Sequence, residues 1–251
     1  MQSVLRYQIS RVKLIKLLET LQQNASGICS VYVPAKLSPE KIREKVKPFL
    51  DPNDPVDEIS AFMAKSSTGS VLFWGTWHRY LIMPPFPLEE DKISSMCEIN
   101  PLRNLLDREF ILALVLVRLG SYGIGVFSGQ KLLISKVGSG LVHARHRQGG
   151  SSARRFERHR DKQIEMFFTR ICSHVRELLE PYASKIDFLI YGGTRETILE
   201  FRKQCHYLNY FDSRTLNRLL TIREPDQSGL LKGLDETWSS RVIEWKNERY
   251  N

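Results

Sequence analysis

Eight consecutive apolar residues, Phe110 to Val117, leave this chain little choice of architecture. The run is far too short to cross a bilayer as a helix, which takes about 20 residues. It has the length of a β-strand. Its unbroken apolar character means that both faces are buried, as in a sheet covered on either side. The segments around it fit that frame. Tyr122 to Phe127 and Lys131 to Val137 read as strands, and Ser128-Gly129-Gln130 between them reads as a tight turn, which completes a three-strand meander. A long helix is expected over Ala153 to Tyr182, with apolar positions Phe156, Ile164, Phe167, Phe168, Ile171, Val175, Leu178 and Leu179. Its N-terminal third is nearly all charged and has no apolar face to bury, so it is expected to project beyond the body. Ile186 to Tyr191 reads as another buried strand, ended by Gly192-Gly193, with helices after it at Thr194 to Cys205, Ser213 to Leu220 and Leu230 to Trp245. Strand-strand-strand-helix-strand-helix describes an α/β fold with a mixed sheet.

The first hundred residues read as a smaller α+β unit. Leu14, Leu17, Leu18 and Leu21 keep helical spacing over Val12 to Gln23, and Asn24-Ala25-Ser26-Gly27 stops that helix. Ile28 to Val33 reads as a strand ended by Pro34. Ser38 caps a second helix, with Pro39 in its first turn, running to about Leu50. Turn residues 51–55 precede a short helix over Val56 to Lys65 and two strands near Val71 to Trp74 and Arg79 to Ile82. Pro84 to Ile99 reads as a connector, followed by a short helix, Leu102 to Leu106. The expected division is therefore an N-terminal α+β domain, residues 1–100, and an α/β domain, residues 101–251.

Charge narrows the class of partner. The 251 residues carry 37 Lys and Arg against 28 Asp and Glu, a net charge of +9. Such an excess points to a polyanion, most simply nucleic acid. The N-terminus lacks a signal-peptide pattern, and no apolar run is long enough for a membrane helix. Cys29, Cys97, Cys172 and Cys205 form no C-x-x-C pair, so neither structural zinc nor a disulfide framework is expected. Free thiols then fit a cytoplasmic protein. No metal site and no cofactor are expected, and the strands from Phe110 to Val137 hold no carboxylate with which a two-metal nuclease could bind its ions. Trp74, Trp77 and His78 leave two readings open, core packing or a stacking platform for bases.

The basic excess is concentrated. Between residues 143 and 162 stand seven bases, Arg145, Arg147, Arg154, Arg155, Arg158, Arg160 and Lys162, against Glu157 and Asp161. His143, His146 and His159 add capacity for positive charge. Arginine suits bidentate contact with phosphate. The arginines also stand where a helix begins, and there each cation opposes the macrodipole by about 0.3–1 kcal/mol. Such an unfavourable placement implies use. Adjacent Gly149 and Gly150 allow close backbone approach and present N–H groups.

Within this stretch, Gly149-Gly150-Ser151 is followed by Ser152-Ala153-Arg154-Arg155-Phe156-Glu157-Arg158-His159-Arg160. The segment resembles the archaeal and eukaryotic class 1 peptide chain release factors, whose G-G-Q tip is followed by S-A-x-R-F-x-R-x-R. Ser152, Ala153, Arg155, Phe156, Arg158 and Arg160 match in register. The local Arg147-Gln148-Gly149-Gly150-Ser151 run is most similar to the Vms/Ankzf-type relatives, peptidyl-tRNA hydrolases of ribosome-associated quality control. The resemblance implies an RNase H-like mixed sheet behind the tip. It implies a monomer whose partners are the large ribosomal subunit, its rRNA and peptidyl-tRNA, with no membrane. In such a protein, residues 148–152 (Gln148, Gly149, Gly150, Ser151, Ser152) form the catalytic tip, and Arg145, Arg147, Arg154, Arg155, Arg158 and Arg160 bind RNA.

The match departs from the family at one place. Where the family has its catalytic glutamine, this chain has Ser151 in one alignment and Ser152 in the other, and Gln148 precedes the glycines. Three readings follow. Gln148 takes the role across the tip, main-chain N–H groups suffice, or the protein binds ribosomes as a rescue factor without hydrolysis. The decoding elements N-I-K-S and Y-x-C-x-x-x-F do not occur in the first hundred residues, so stop-codon reading is not expected. Neither a GTPase-recruiting third domain nor the ankyrin and zinc-finger additions of eukaryotic Vms-type proteins is expected at this length, which fits a compact prokaryotic version.

Overall fold

A computed structural model describes residues 3–143 and 151–246, with the backbone alone at 151–154. The chain divides into two compact units, Met1–Arg108 with Trp238–Asn251, and Glu109–Thr237.

The first unit is built on a six-stranded sheet. Its strands are β1 (Ser3–Ile9), β2 (Cys29–Val33), β3 (Ser70–Trp74), β4 (Arg79–Met83), β5 (Lys92–Ser94) and the chain's last strand, β11 (Ser240–Lys246). Their order is β1-β11-β4-β3-β2-β5, with antiparallel neighbours throughout. Helices α1 (Arg11–Gln23), α2 (Pro39–Val46), α3 (Val56–Ala64) and α4 (Asn100–Asp107) belong to this unit. Ser10 and Ser38 cap α1 and α2, their side-chain oxygens accepting from the N–H groups of Lys13 and Lys41. Ile42 and Val46 of α2 and Ile59 and Met63 of α3 pack with Val31, Leu72 and Leu81 of the sheet.

The second unit is built on a five-stranded mixed sheet. Strands β6 (Ile111–Arg118), β7 (Ser121–Ser128) and β8 (Lys131–Ser139) form an antiparallel meander. β9 (Phe188–Gly193) lies parallel to β6, and β10 (Thr215–Leu220) lies parallel to β9. The strand order is β10-β9-β6-β7-β8. α5 (Ser151–Leu179) and α6 (Arg195–Gln204) pack with Ala113, Val115 and Val117 of β6 in one core. The intervening residue Leu114 meets Gly233 of α7 (Gln227–Thr237), as alternation along a strand requires. Both faces of β6 are thus covered, as its composition demands. Gly193 ends β9 at φ +132°, where an added Cβ would collide with the carbonyl of Val117. The glycine pair turns the chain.

Several sequence expectations are corrected. The segment expected as a helix over Ser213 to Leu220 is the end of a 3-10 helix, His206–Arg214, followed by strand β10. Apolar residues at 216, 219 and 220 fit helical spacing, but parallel pairing with β9 decides the conformation. The helix expected over Leu230 to Trp245 stops at Thr237. The residues after it turn into β11, which fills the place between β1 and β4. Trp238 and Trp245 thus stand on either side of this change, one just after the helix and one in the strand. Trp238 packs on Phe86 with ring centroids 4.8 Å apart, and Trp245 packs on Trp74 at 5.4 Å. Residues 101–108 and 238–246 belong to the first compact unit, where the sequence reading placed both in the second domain. Cys172 and Cys205 form a disulfide, with Cα atoms 5.4 Å apart. Their separation of 33 residues hid the pair, because contact between α5 and the end of α6 is a tertiary property.

Candidate functional site

β8 ends at Ser139, and residues 140–143 then lie beside α5. α5 is a helix of 29 residues with two unlike parts. From Phe167 onward its inward positions Phe167, Phe168, Ile171, Val175, Leu178 and Leu179 are buried. Before Ile164 its described side chains are polar or exposed, and Phe156 is 53% exposed. No acidic residue stands in its first turn to offset the helix dipole.

Ser151 and Ser152 are the first two residues of α5. Arg154 follows in the same turn, and its side chain lies outside the described residues. Arg145, Arg147, Gln148, Gly149 and Gly150 also lie outside them. Arg155 and Arg158 are exposed and three residues apart, so they are neighbours on the helix surface. Arg160 follows Arg158 by two residues, which at 3.6 residues per turn directs it about 160° away. It does not join them. Its Nε donates to the carbonyl of His143 at 3.0 Å. The N–H of His143 donates to Oε1 of Gln163 at 3.2 Å. Further along the helix, Arg170 Nη2 donates to the carbonyl of Ser139 at 2.8 Å. Gln163 and Arg170 were not singled out from the sequence. The available signal was the stripe 160, 163, 167 and 170, which reads as ordinary helix periodicity.

Other polar and aromatic groups have structural work. Asp187 accepts the N–H of Ile111 at 2.7 Å and ties β9 to the start of β6. Among the described residues no group of three or more His, Cys, Asp or Glu is placed to hold a metal ion. Trp74 is a core residue, its indole N–H donating to Asp54 at 2.8 Å beside the Arg79–Asp54 ion pair. Trp77 is 67% exposed, so the three-residue platform is split. Burial pushes the Cys29 and Cys97 thiols up, which keeps them protonated and poorly nucleophilic. Among the described residues no helix is long and apolar enough to cross a membrane.

Residues 111–243, more than half of the chain, match the family described as the Actinobacteria/Chloroflexi VLRF1 release factor. The chain belongs to that family. As a VLRF1 release factor it is a member of the class 1 release-factor-like superfamily. Sequence relatives agree. The peptide chain release factor subunit 1 of Archaeoglobus fulgidus is 28% identical over 146 residues, 58% of this chain and 36% of that protein. Its counterpart in Aeropyrum pernix is 23% identical over 237 residues, 82% of this chain and 63% of that protein. The chain thus spans between about a third and two thirds of these curated relatives. Among solved structures, the archaeal translation termination factor aRF1 aligns with 92% of this chain and 73% of its own, at 18% identity and a TM-score of 0.38. The Vms1 mitochondrial localization core aligns with 68% of this chain and 74% of its own, at 18% identity and a TM-score of 0.43.

Proposed function

We propose that this VLRF1-family protein is a peptidyl-tRNA hydrolase that acts in the cytoplasm, as a monomer, on stalled large ribosomal subunits. The observation that carries the reading is that the motif stands, in sequence, directly before an arginine-bearing helix N-terminus. Gly149-Gly150 immediately precedes α5, and Ser151 and Ser152 open the helix. Behind them stand the exposed Arg155 and Arg158. Arginines so placed suit rRNA phosphates. The first N–H groups of a helix lack intrahelical acceptors, so the main chain at the start of α5 suits an oxygen that gains negative charge as water attacks the peptide–tRNA ester. This favours main-chain catalysis over a transferred role for Gln148.

A second reading, a rescue factor that binds the subunit without hydrolysis, is favoured by one observation. Serine, at 151 or 152, occupies the place of the family's glutamine. Single-turnover release of labelled peptide from large subunits carrying peptidyl-tRNA separates the two. The hydrolase reading expects release well above background, abolished by Gly149→Ala with Gly150→Ala and largely kept by Gln148→Ala. Subunit binding without release overturns it.

A further inference from the structure

The segment from Ser139 to His143, which follows β8, is held to α5 at both of its ends. At its start, the Ser139 carbonyl accepts from Arg170, and the Gly140 N–H donates to the Gly120 carbonyl at 2.9 Å. A Cβ at Gly140 would crowd the Arg170 guanidinium and the Phe167 ring, so a larger residue there would force both side chains to shift. Val142 packs against the core beneath the helix. At its end, both main-chain polar groups of His143 are taken by α5 side chains, the N–H by Gln163 and the carbonyl by Arg160.

The dimensions match. The contacts run from Arg170 back to Arg160, ten residues of helix, or about 15 Å. Ser139 to His143 spans four residues, which can reach at most about 14 Å. The partners 160, 163, 167 and 170 form one stripe on the helix. This explains why Arg160 is directed away from Arg158. Its Nε is committed to the main chain, and a guanidinium has further donors for phosphate.

We propose that Gln163 and Arg160 are positioning residues, a two-point clamp that holds the main chain of His143, five residues before Gln148 in sequence, against α5. The proposal rests on the hydrolase reading for its catalytic consequence. A reacting group misplaced by about 1 Å loses on the order of a hundredfold in rate, so slack at the base of the motif reads out in release rather than in binding. Gln163 is the cleaner probe, because it is neutral and its loss does not change the basic charge.

Gln163→Met keeps length and volume but removes the acceptor, and Gln163→Glu restores it. The expected result is at least tenfold faster amide exchange at His143 in Gln163→Met, with thermal stability unchanged, and recovery in Gln163→Glu. Single-turnover release at saturating protein is expected to fall about tenfold or more in Gln163→Met, with subunit affinity unchanged, and to recover in Gln163→Glu. Unchanged His143 exchange in Gln163→Met overturns the clamp. Faster exchange with an unchanged release rate, or a loss confined to affinity, overturns the positioning role. If the unmodified protein releases no peptide, the hydrolase reading fails by itself, and the exchange measurement still decides whether the clamp exists.

Discussion

The two parts of α5 are one continuous helix under opposite rules. From Phe167 to Leu179 it is held by burial against the sheet. From Arg155 to Lys162 it carries arginines on a surface that contributes little packing. The difference teaches that a helix can be made stable at one end and used at the other. The buried part supplies the cooperativity that propagates into the exposed part, so the exposed part is free to carry unfavourable charge.

The largest expected effect lies at the buried end. Phe168 is fully buried and packs on Phe201 at 5.5 Å. Phe168→Ala is expected to lower the unfolding free energy by about 3–5 kcal/mol, read by denaturant titration. A reduction within about 0.5 kcal/mol, the size of a surface substitution, would erase the contrast between the two parts.

The disulfide comes next. Cys172 on α5 is joined to Cys205, and the closed loop spans 33 residues. The loop-entropy model assigns such a crosslink about 3–4 kcal/mol. Reduction, or Cys172→Ser with Cys205→Ser, is expected to lower the melting temperature of the Glu109–Thr237 unit. A melting curve indifferent to reductant would show that packing alone holds the buried part.

At the exposed end the effects change kind. Arg155→Ala with Arg158→Ala is expected to leave stability within about 0.5 kcal/mol. Affinity for large subunits should fall. The slope of log affinity against log salt should become shallower by roughly 0.7–0.9 for each phosphate that the protein no longer neutralises. Lower stability with an unchanged salt slope would make these arginines structural.

The smallest effect is electrostatic. Lys136 and His174 hydrogen-bond to Glu177 and hold its carboxyl below the usual glutamate range. A depressed carboxyl contributes stability above its unfolded pKa of about 4.3 and loses it as pH falls through the lower folded value. Glu177→Gln is therefore expected to lower stability slightly at neutral pH, to leave it unchanged at pH below the folded value, and so to flatten the acid limb of the stability profile. Urea midpoints across that range check it.

Local pattern carried much of this molecule. The apolar run became β6, the meander after it followed the turn at Ser128-Gly129-Gln130, and α5 followed its periodicity. These features are encoded in consecutive residues, because burial on one or two faces imposes its period on the local sequence. The basic motif was legible for the same reason, since charge and spacing are local. The role of Arg160 was not. In sequence it is one arginine among several, and only the return of His143 beside α5 separates it from Arg155 and Arg158.

What tertiary structure alone decided shares one cause. β1 and β11 come from opposite ends of the chain and pair from Ser3↔Lys246 to Ile9↔Ser240. Neither was expected as a strand, because β1 is a largely exposed edge with no clean alternation and β11 continues an apparently helical stretch. The Cys172–Cys205 bond and the His143 clamp likewise join residues far apart in sequence. Hydrogen bonds and crosslinks between remote residues leave no period behind, so the strand that closes the first sheet and the side chains that hold the motif's base emerge only when the chain is folded.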